Sequence, residues 1–437
     1  MLRNQLEKHL ASLKLLDLVT SWHDRNINAG QEWAKEIDIN LNTADLILLL
    51  VSPDFLHSEY CYSKEMTRAL ERHENGSACV VPIILRHVDY EGTPFSKLLA
   101  LPTDGRPITD RKWHNRDEAF LDVAQGIRKT VKGILSKQNL SEADIYFYRQ
   151  NYNQALEAYE RAIYFDSTNA LAYTGIGKVL LQRALNSGTS GKDESRKKSL
   201  EMFEKAISFD NTIASAYLGK AEALPKHFPQ RGVPNSAGSL PEIIKAYTQA
   251  IQLDPYNPFI YVSQAKNFIF FLKHNEALES YNKAFKLSVD VDPQLYKARG
   301  DLLYKIKRYK EAIADYEFFL KAYPKDADVY QSKGDALFYL QRYEEALAAY
   351  EKILSTGVKT SKIYDFYLNK GKILLKMKHY QDALVAFEKA IQWGGKLSSE
   401  VYKGKGEALQ ILSQEAFKKA KEEEDVFDPF LDSDDLP

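Results

Sequence analysis

Between residues 155 and 391 one nine-residue pattern returns seven times: "ALEAYERAI" (155–163), "SLEMFEKAI" (199–207), "IIKAYTQAI" (243–251), "ALESYNKAF" (277–285), "AIADYEFFL" (312–320), "ALAAYEKIL" (346–354) and "ALVAFEKAI" (383–391). Successive starts lie 44, 44, 34, 35, 34 and 37 residues apart. A second element keeps phase with it, a tyrosine followed four residues on by glycine or alanine. It too occurs seven times: Tyr173/Gly177, Tyr217/Ala221, Tyr261/Ala265, Tyr296/Gly300, Tyr330/Gly334, Tyr367/Gly371 and Tyr402/Gly406. A spacing of four puts both members on one helix face. Each period therefore holds two helices, A with the Tyr/small pair and B with the nine-residue pattern. Such a unit buries its apolar face only by stacking on neighbours, so residues 139–421 are committed to an array with a concave groove lined by A helices.

A period near 34 with a small residue at a helix crossing resembles the tetratricopeptide (TPR) repeat. The resemblance covers 139–421 and implies an all-α superhelical solenoid that holds a protein or peptide partner in its groove. In repeats two and three, ten extra residues fall between helices A and B, near 184–197 and 225–240. There "NSGTSGKDESR" and "PKHFPQRGVPNSAG" read as loops. "SQEAFKKAKEEED" reads as a polar capping helix. The last segment, 422–437, carries eight acids and no base and is expected to be disordered. A docking peptide around Phe427, Phe430 and Leu431 is its second reading. The later A helices carry Lys297, Arg299, Lys333, Lys370, Lys403 and Lys405. These are either ordinary solvated cations or a grip on an acidic peptide, the tail included.

Residues 1–137 follow a different grammar. Leu2, Leu6, Leu10 and Leu13 recur at helical spacing, and "LVTSW" (18–22) reads as a short strand. "GQEWAKEIDINLNTA" reads as a helix with Trp33, Ile37 and Leu41 on one face. "DLILLLVS" (45–52) and "ACVVPIILR" (78–86) are continuous apolar strands of the kind covered on both faces of a parallel sheet. A helix of about 18 residues is expected between them. A Gly- and Pro-containing loop runs to about residue 110, and "RDEAFLDVAQGIRKTVKGIL" closes the half as a helix. Alternating strands and helices make this half α/β.

Long stretches of this half, in order, resemble a bacterial Toll/interleukin-1 receptor (TIR) domain. They are "WHDRNINAGQEW" (22–33), "LNTADLILLLVSPDFLHSEYCYSKEM" (41–66), "VVPIILRHVDYEGTPFSKLLALP" (80–102) and "DEAFLDVAQGIRKTV" (117–131). The resemblance implies a flavodoxin-like parallel sheet and, as in many members, cleavage of the nicotinamide–ribose bond of NAD⁺. The catalytic glutamate it implies is Glu65, in "YCYSKEM" after the "SPDF" strand end. Periodicity by itself puts Glu65 at the border of a buried stripe, near the strand ends where ligands sit in open α/β sheets, and reads it as a surface acid. Asp24 to Gly30 resembles the family's BB loop. Asp24, Arg25, Gly30, Trp33 and Cys61 are the accompanying candidates for access and assembly. NAD⁺ is a substrate here, and neither a cofactor nor a metal is implied. TIR domains also imply self-association. Family members begin with a central strand similar to "FISYSHKD", and that first strand is missing from this chain. Two readings follow: Met1 is internal to a longer protein, or the pocket is incomplete and NAD⁺ cleavage is weak or absent.

Other chemistries find no support. A net charge of −1 gives no case for nucleic acid or an anionic membrane. Leu46–Val51 is too short to span a bilayer, and the N-terminus has no signal-peptide core. The two cysteines, Cys61 and Cys79, fit a reducing cytoplasm. "GTSGK" (188–192) lacks the spacing of a phosphate loop. The expectation is a signalling or defence protein in which a TPR array binds a partner and an associating TIR domain hydrolyses NAD⁺. The alternative is a non-enzymatic TIR–TPR adaptor.

Overall fold

The apolar runs form the expected strands. Leu46–Val51 (β1) and Cys79–Ile84 (β2) pair in parallel, in register from Leu46↔Cys79 to Val51↔Ile84. Leu101 adds one parallel bridge on the far side of β2, to Ile83. The computed structural model describes residues 2–23, 26, 32–58, 64–186, 192–224, 239–288, 290–354, 360–393 and 399–426. They divide into two units, Met1–Leu253 and Asp254–Pro437.

In the first unit the sheet is covered on both faces. One face meets α1 (Leu2–His9), α2 (Ala11–Leu15) and α6 (Arg116–Tyr148) through Leu6, Leu10, Leu13, Phe120, Val123 and Ile127. The opposite face packs Leu49, Val51, Val80 and Ile84 against Met66 and Ala69 of α5 (Met66–Glu74), and against Phe95. Arg72 of α5 is buried as well and donates to the carbonyls of Leu41 and Ala44. It thereby ties α3 (Trp33–Thr43) to the start of β1.

Two local expectations are corrected. Residues 18–22 form no strand. A strand needs a ladder partner, and no described strand lies beside this segment. Its first amide bonds back to the Leu13 carbonyl, and Leu18 and Val19 pack on the α1–α6 core instead. The helix expected after β1 is broken. Pro53–His57 (α4) stops at Ser58, whose backbone is extended (φ −80°, ψ 106°). Helical structure resumes at Lys64 and Glu65 as a π-type turn that leads into α5.

Helix α6 is 33 residues long and opens on an N-cap: the Asn115 side chain accepts from the Glu118 amide. It runs unbroken through residues 137–139, where the two sequence grammars meet. Its first half belongs to the sheet core, and its second half is helix A of the first repeat, paired with α7 (Tyr152–Phe165). At the midpoint, buried Ser136 donates to the Ala162 carbonyl and accepts from Asn169. Two residues on, Gln138 donates to Asp45, just ahead of β1.

The remaining A/B pairs of this unit are α8 (Ala170–Asn186) with α9 (Lys192–Phe209), and α10 (Ala214–Ala223) with α11 (Ser239–Leu253). The second unit holds α12 (Pro258–Phe270) with α13 (His274–Leu287), α14 (Pro293–Lys305) with α15 (Tyr309–Ala322), α16 (Ala327–Tyr339) with α17 (Tyr343–Leu354), and α18 (Thr360–Lys376) with α19 (Tyr380–Trp393). It closes on α20 (Ser399–Val426).

The fifth position of the nine-residue pattern is the core of every repeat. Tyr159, Phe203, Tyr247, Tyr281, Tyr316, Tyr350 and Phe387 are each at most 2% exposed. The ring fits because the facing A-helix residue is small: a Cβ on Gly334 would lie 2.8 Å from the Tyr350 ring. The A helices of repeats one and four to seven end alike. Gln150, Leu272, Lys307, Gln341 and Lys378 take left-handed backbone angles with φ between 59° and 65°. The next amide reaches back to the helix, as Arg308 does to the Leu303 carbonyl, which closes a Schellman turn.

The insertion in repeat two is smaller as a loop than expected. Helices α8 and α9 have 17 and 18 residues, against 13 and 14 for α12 and α13, so much of 184–197 is helical. Residues 187–191 and 225–238 lie outside the described residues. At the C-terminal end the last A element and the expected cap are one 28-residue helix, α20. Residues 413–423 are exposed along it, so this stretch covers no core. The helix extends to Val426, into the stretch expected as tail. Residues 427–437 lie outside the description.

Candidate functional site

The carboxyl ends of β1 and β2 bring together the groups of greatest chemical interest in the first unit. β1 ends at fully buried Val51, and Ser52 turns the chain. Its hydroxyl accepts from the Phe55 amide and caps α4. Asp54, in the first turn of α4, pairs at 2.8 Å with Arg86, two residues beyond β2. His87 lies 3.9 Å from Asp110. Phe55, Tyr90 and Phe95 form an aromatic group under the same edge.

Glu65 stands at the head of α5, half-buried, with helical backbone angles (φ −65°, ψ −43°). Its neighbours fix it there. Met66 and Ala69 sit in the core beside Val51, and Arg72 closes the same stripe. The carboxylate is thus carried at the rim of the core by a helix whose buried side is locked to the strand end. Asp24, Arg25, Gly30 and Cys61 lie outside the described residues, as does the side chain of Trp33. Arg86, Asp54, His87 and Asp110 were not singled out in the sequence. Their signal was available in part, because Asp54 and Arg86 directly follow strand ends.

The groove cations of the second unit are engaged within the array. Lys297 pairs with Asp326, Lys333 with Glu317 and Lys370 with Glu351. Arg299 holds Asp315 with two bonds of 2.8 and 2.7 Å. Lys403 is exposed. A register underlies several of these pairs, and it runs through both units. The residue after the buried aromatic of one B helix meets the residue before the small position of the next A helix. Glu204–Lys220, Glu317–Lys333, Glu351–Lys370 and Glu388–Lys405 are its ionic cases.

A second register links three of the buried tyrosines to the acid that follows the small residue on their own A helix. The hydroxyls of Tyr159, Tyr316 and Tyr350 donate to Asp144, Asp301 and Asp335. Burial and the facing carboxylates push these phenols well above their ordinary range. Burial also raises the Asp301 carboxyl, partly offset by the Tyr316 bond. The same A position holds Lys178 and Lys372 opposite Phe203 and Phe387, and Lys266 opposite Tyr281.

Comparison with known proteins finds family matches in both kinds of sequence. Residues 3–121 match the model of a TIR domain. Residues 143–183 match a TPR repeat, and 264–327, 297–365 and 332–400 match a tetratricopeptide repeat. An uncharacterised protein of Sinorhizobium fredii, y4lF, is 54% identical over 130 residues, which is 30% of this chain and 40% of that protein. The aligned stretch therefore spans less than half of that relative. Among solved structures, the C-terminal part of a TPR repeat-containing protein from Cytophaga hutchinsonii is 15% identical with a TM-score of 0.46, covering 61% of this chain and 98% of that one. TTC0263, a TPR protein of Thermus thermophilus, is 19% identical with a TM-score of 0.36, covering 46% and 99%. No described helix is long and apolar enough to cross a membrane.

Proposed function

We propose, from the premise that this chain carries a TIR domain followed by TPR repeats, that it is a cytoplasmic signalling or defence protein. In this reading the TIR domain cleaves NAD⁺ through Glu65 once it self-associates, and the repeats hold a protein or peptide partner. The observation that supports it most is the station of Glu65. It is half-buried at the rim of the core, on a helix anchored beside the carboxyl end of β1. A carboxylate there suits the chemistry. The cationic nicotinamide leaves as a neutral base, positive charge gathers on the ribose C1′, and a fixed carboxylate stabilises it. Water adds at C1′ and its proton passes to solvent.

The test is nicotinamide release from NAD⁺ by the purified protein, with and without induced clustering. Clustering is expected to raise release, and Glu65→Ala to lower it about 100-fold or more. Silence under clustering, or equal release by the variant, overturns the enzyme reading. The second reading is a non-enzymatic adaptor, in which both halves bind proteins and Glu65 is inert.

A further inference from the structure

The far end of α20 is a helix that its own chain does little to hold. Up to Leu412 it serves as the last A helix. Val401 is fully buried in the cluster of Phe387, and Lys405 pairs with Glu388. Residues 413–423 are then exposed, and Phe417 is 75% exposed. Helices in proteins owe most of their stability to the packing of one face, and no described core lies under this stretch.

Local electrostatics oppose it as well. Lys418, Lys419 and Lys421 are followed directly by Glu422, Glu423, Glu424 and Asp425. The helix therefore ends on acids, with no base in its last turn. That is the end where the helix dipole favours cations and disfavours carboxylates. Lysine ahead of glutamate is also the weaker order for a pair four residues apart. Among the described residues of this stretch the one ion pair is Lys418–Glu422 at 3.7 Å, with both groups exposed.

The pattern specifies a partner. Leu409, Leu412 and Ala416 follow at spacings of three and four, and Lys419 and Glu423 are the next members of the same row. Phe417 stands next to it, beside the small Ala416 and Ala420. A facing helix must present an acid at the height of Lys419 and a base at the height of Glu423. A second copy of α20 lying antiparallel about residue 421 presents both. Lys419 of each copy then meets Glu423 of the other, and the bases of one run along the acids of the other. A parallel copy would set lysine on lysine. A uniformly acidic or basic peptide would match one half of the stretch and repel the other. The axis lies about 13 Å of helix past Leu412, the last half-buried residue before the exposed stretch, so the two arrays need not touch.

We propose that the exposed end of α20, residues 412–426, pairs antiparallel with its counterpart in a second copy of this chain. The proposal is independent of the NAD⁺ reading, since it needs neither a TIR–TIR contact nor activity.

The experiment follows the full chain by sedimentation equilibrium at increasing concentration. A reversible dimer is expected. Lys419→Glu and Glu423→Lys each set like charges at the crossing and should weaken it at least about tenfold. Glu423→Lys suits the helix's own dipole better and should weaken the dimer all the same, which separates pairing from helix stability. The double variant Lys419→Glu/Glu423→Lys restores opposite charges and should recover the dimer to within about threefold. The two single variants, mixed in equal amounts, should form a heterodimer at concentrations where each alone is monomeric. Circular dichroism checks that every variant keeps its helices. A chain that stays monomeric at every concentration, a dimer indifferent to the single variants, or no heterodimer on mixing would each overturn the proposal.

Discussion

The sheet region and the repeat array contain similar proportions of apolar residues but distribute them in opposite ways. Around β1 and β2 the core draws on residues from Leu6 to Val131, and every contributor occurs once. In the array one slot is made seven times, and each copy packs mainly on its own pair and the next. The first arrangement is cooperative across long sequence separations. The second is close to one-dimensional, so damage in one repeat is borne by its neighbours. Helix α6 stands between the two, because one half of it serves each.

Emptying a slot gives the largest effect. Tyr316→Ala should cost about 3–5 kcal/mol locally. Hydrogen exchange should rise in α14–α16 while β1 and β2 keep their protection. Loss of protection in the strands would break the contrast.

A proline in the shared helix is the next largest. Lys137→Pro removes one helix bond and should cost about 3 kcal/mol or more. Unlike the slot variant, it should raise exchange in β1 and in α7 together. An effect confined to one side would mean that α6 does not couple the two regions.

Smaller effects separate the chemistry within the slots. Tyr350→Phe leaves Asp335 without the tyrosine hydroxyl and should cost about 1–3 kcal/mol in chemical denaturation. Glu317→Gln touches only the exposed partner of Lys333 and should cost less than about 1 kcal/mol. A larger loss from Glu317→Gln than from Tyr350→Phe would reverse that order.

Asp301→Asn is the subtlest. Burial raises its carboxyl above the ordinary value of 3.8. A raised folded-state pKa contributes stability that is present in acid and lost as pH rises through that value. The variant should therefore gain on the wild type as pH rises through the carboxylate range, and the two should converge in acid. A constant difference across that range would discount the burial of Asp301.

The repeat half was the more legible. Tyr316 and Gly300 announce a helix crossing because identical grammar seven times over leaves little else to fit. What the pattern did not reveal was the use of its polar positions. Lys333 and Lys370 stand out in the sequence as groove cations. The fold turns them to Glu317 and Glu351, which sit on the preceding B helices. In the α/β half the two apolar strands were readable. The segment "LVTSW" was misread, because strand propensity without a neighbour makes no ladder. The break at Ser58 was also missed, since the apolar periodicity on either side continues across it.

The sequence by itself determined the two architectures, since a 34-residue period can be buried only by stacking and a continuous apolar strand only by two-sided cover. It also singled out Glu65, through resemblance and not through periodicity. Tertiary structure decided which side chains meet. It seated Glu65 at the head of a helix packed against Val51, joined the two grammars through one helix, and gathered Phe285, Arg299, Asp315 and Phe318 into a single cleft. Those four come from three helices spread over 34 residues. Periodicity reports only which face of one helix is buried, and a cleft is a relation among several.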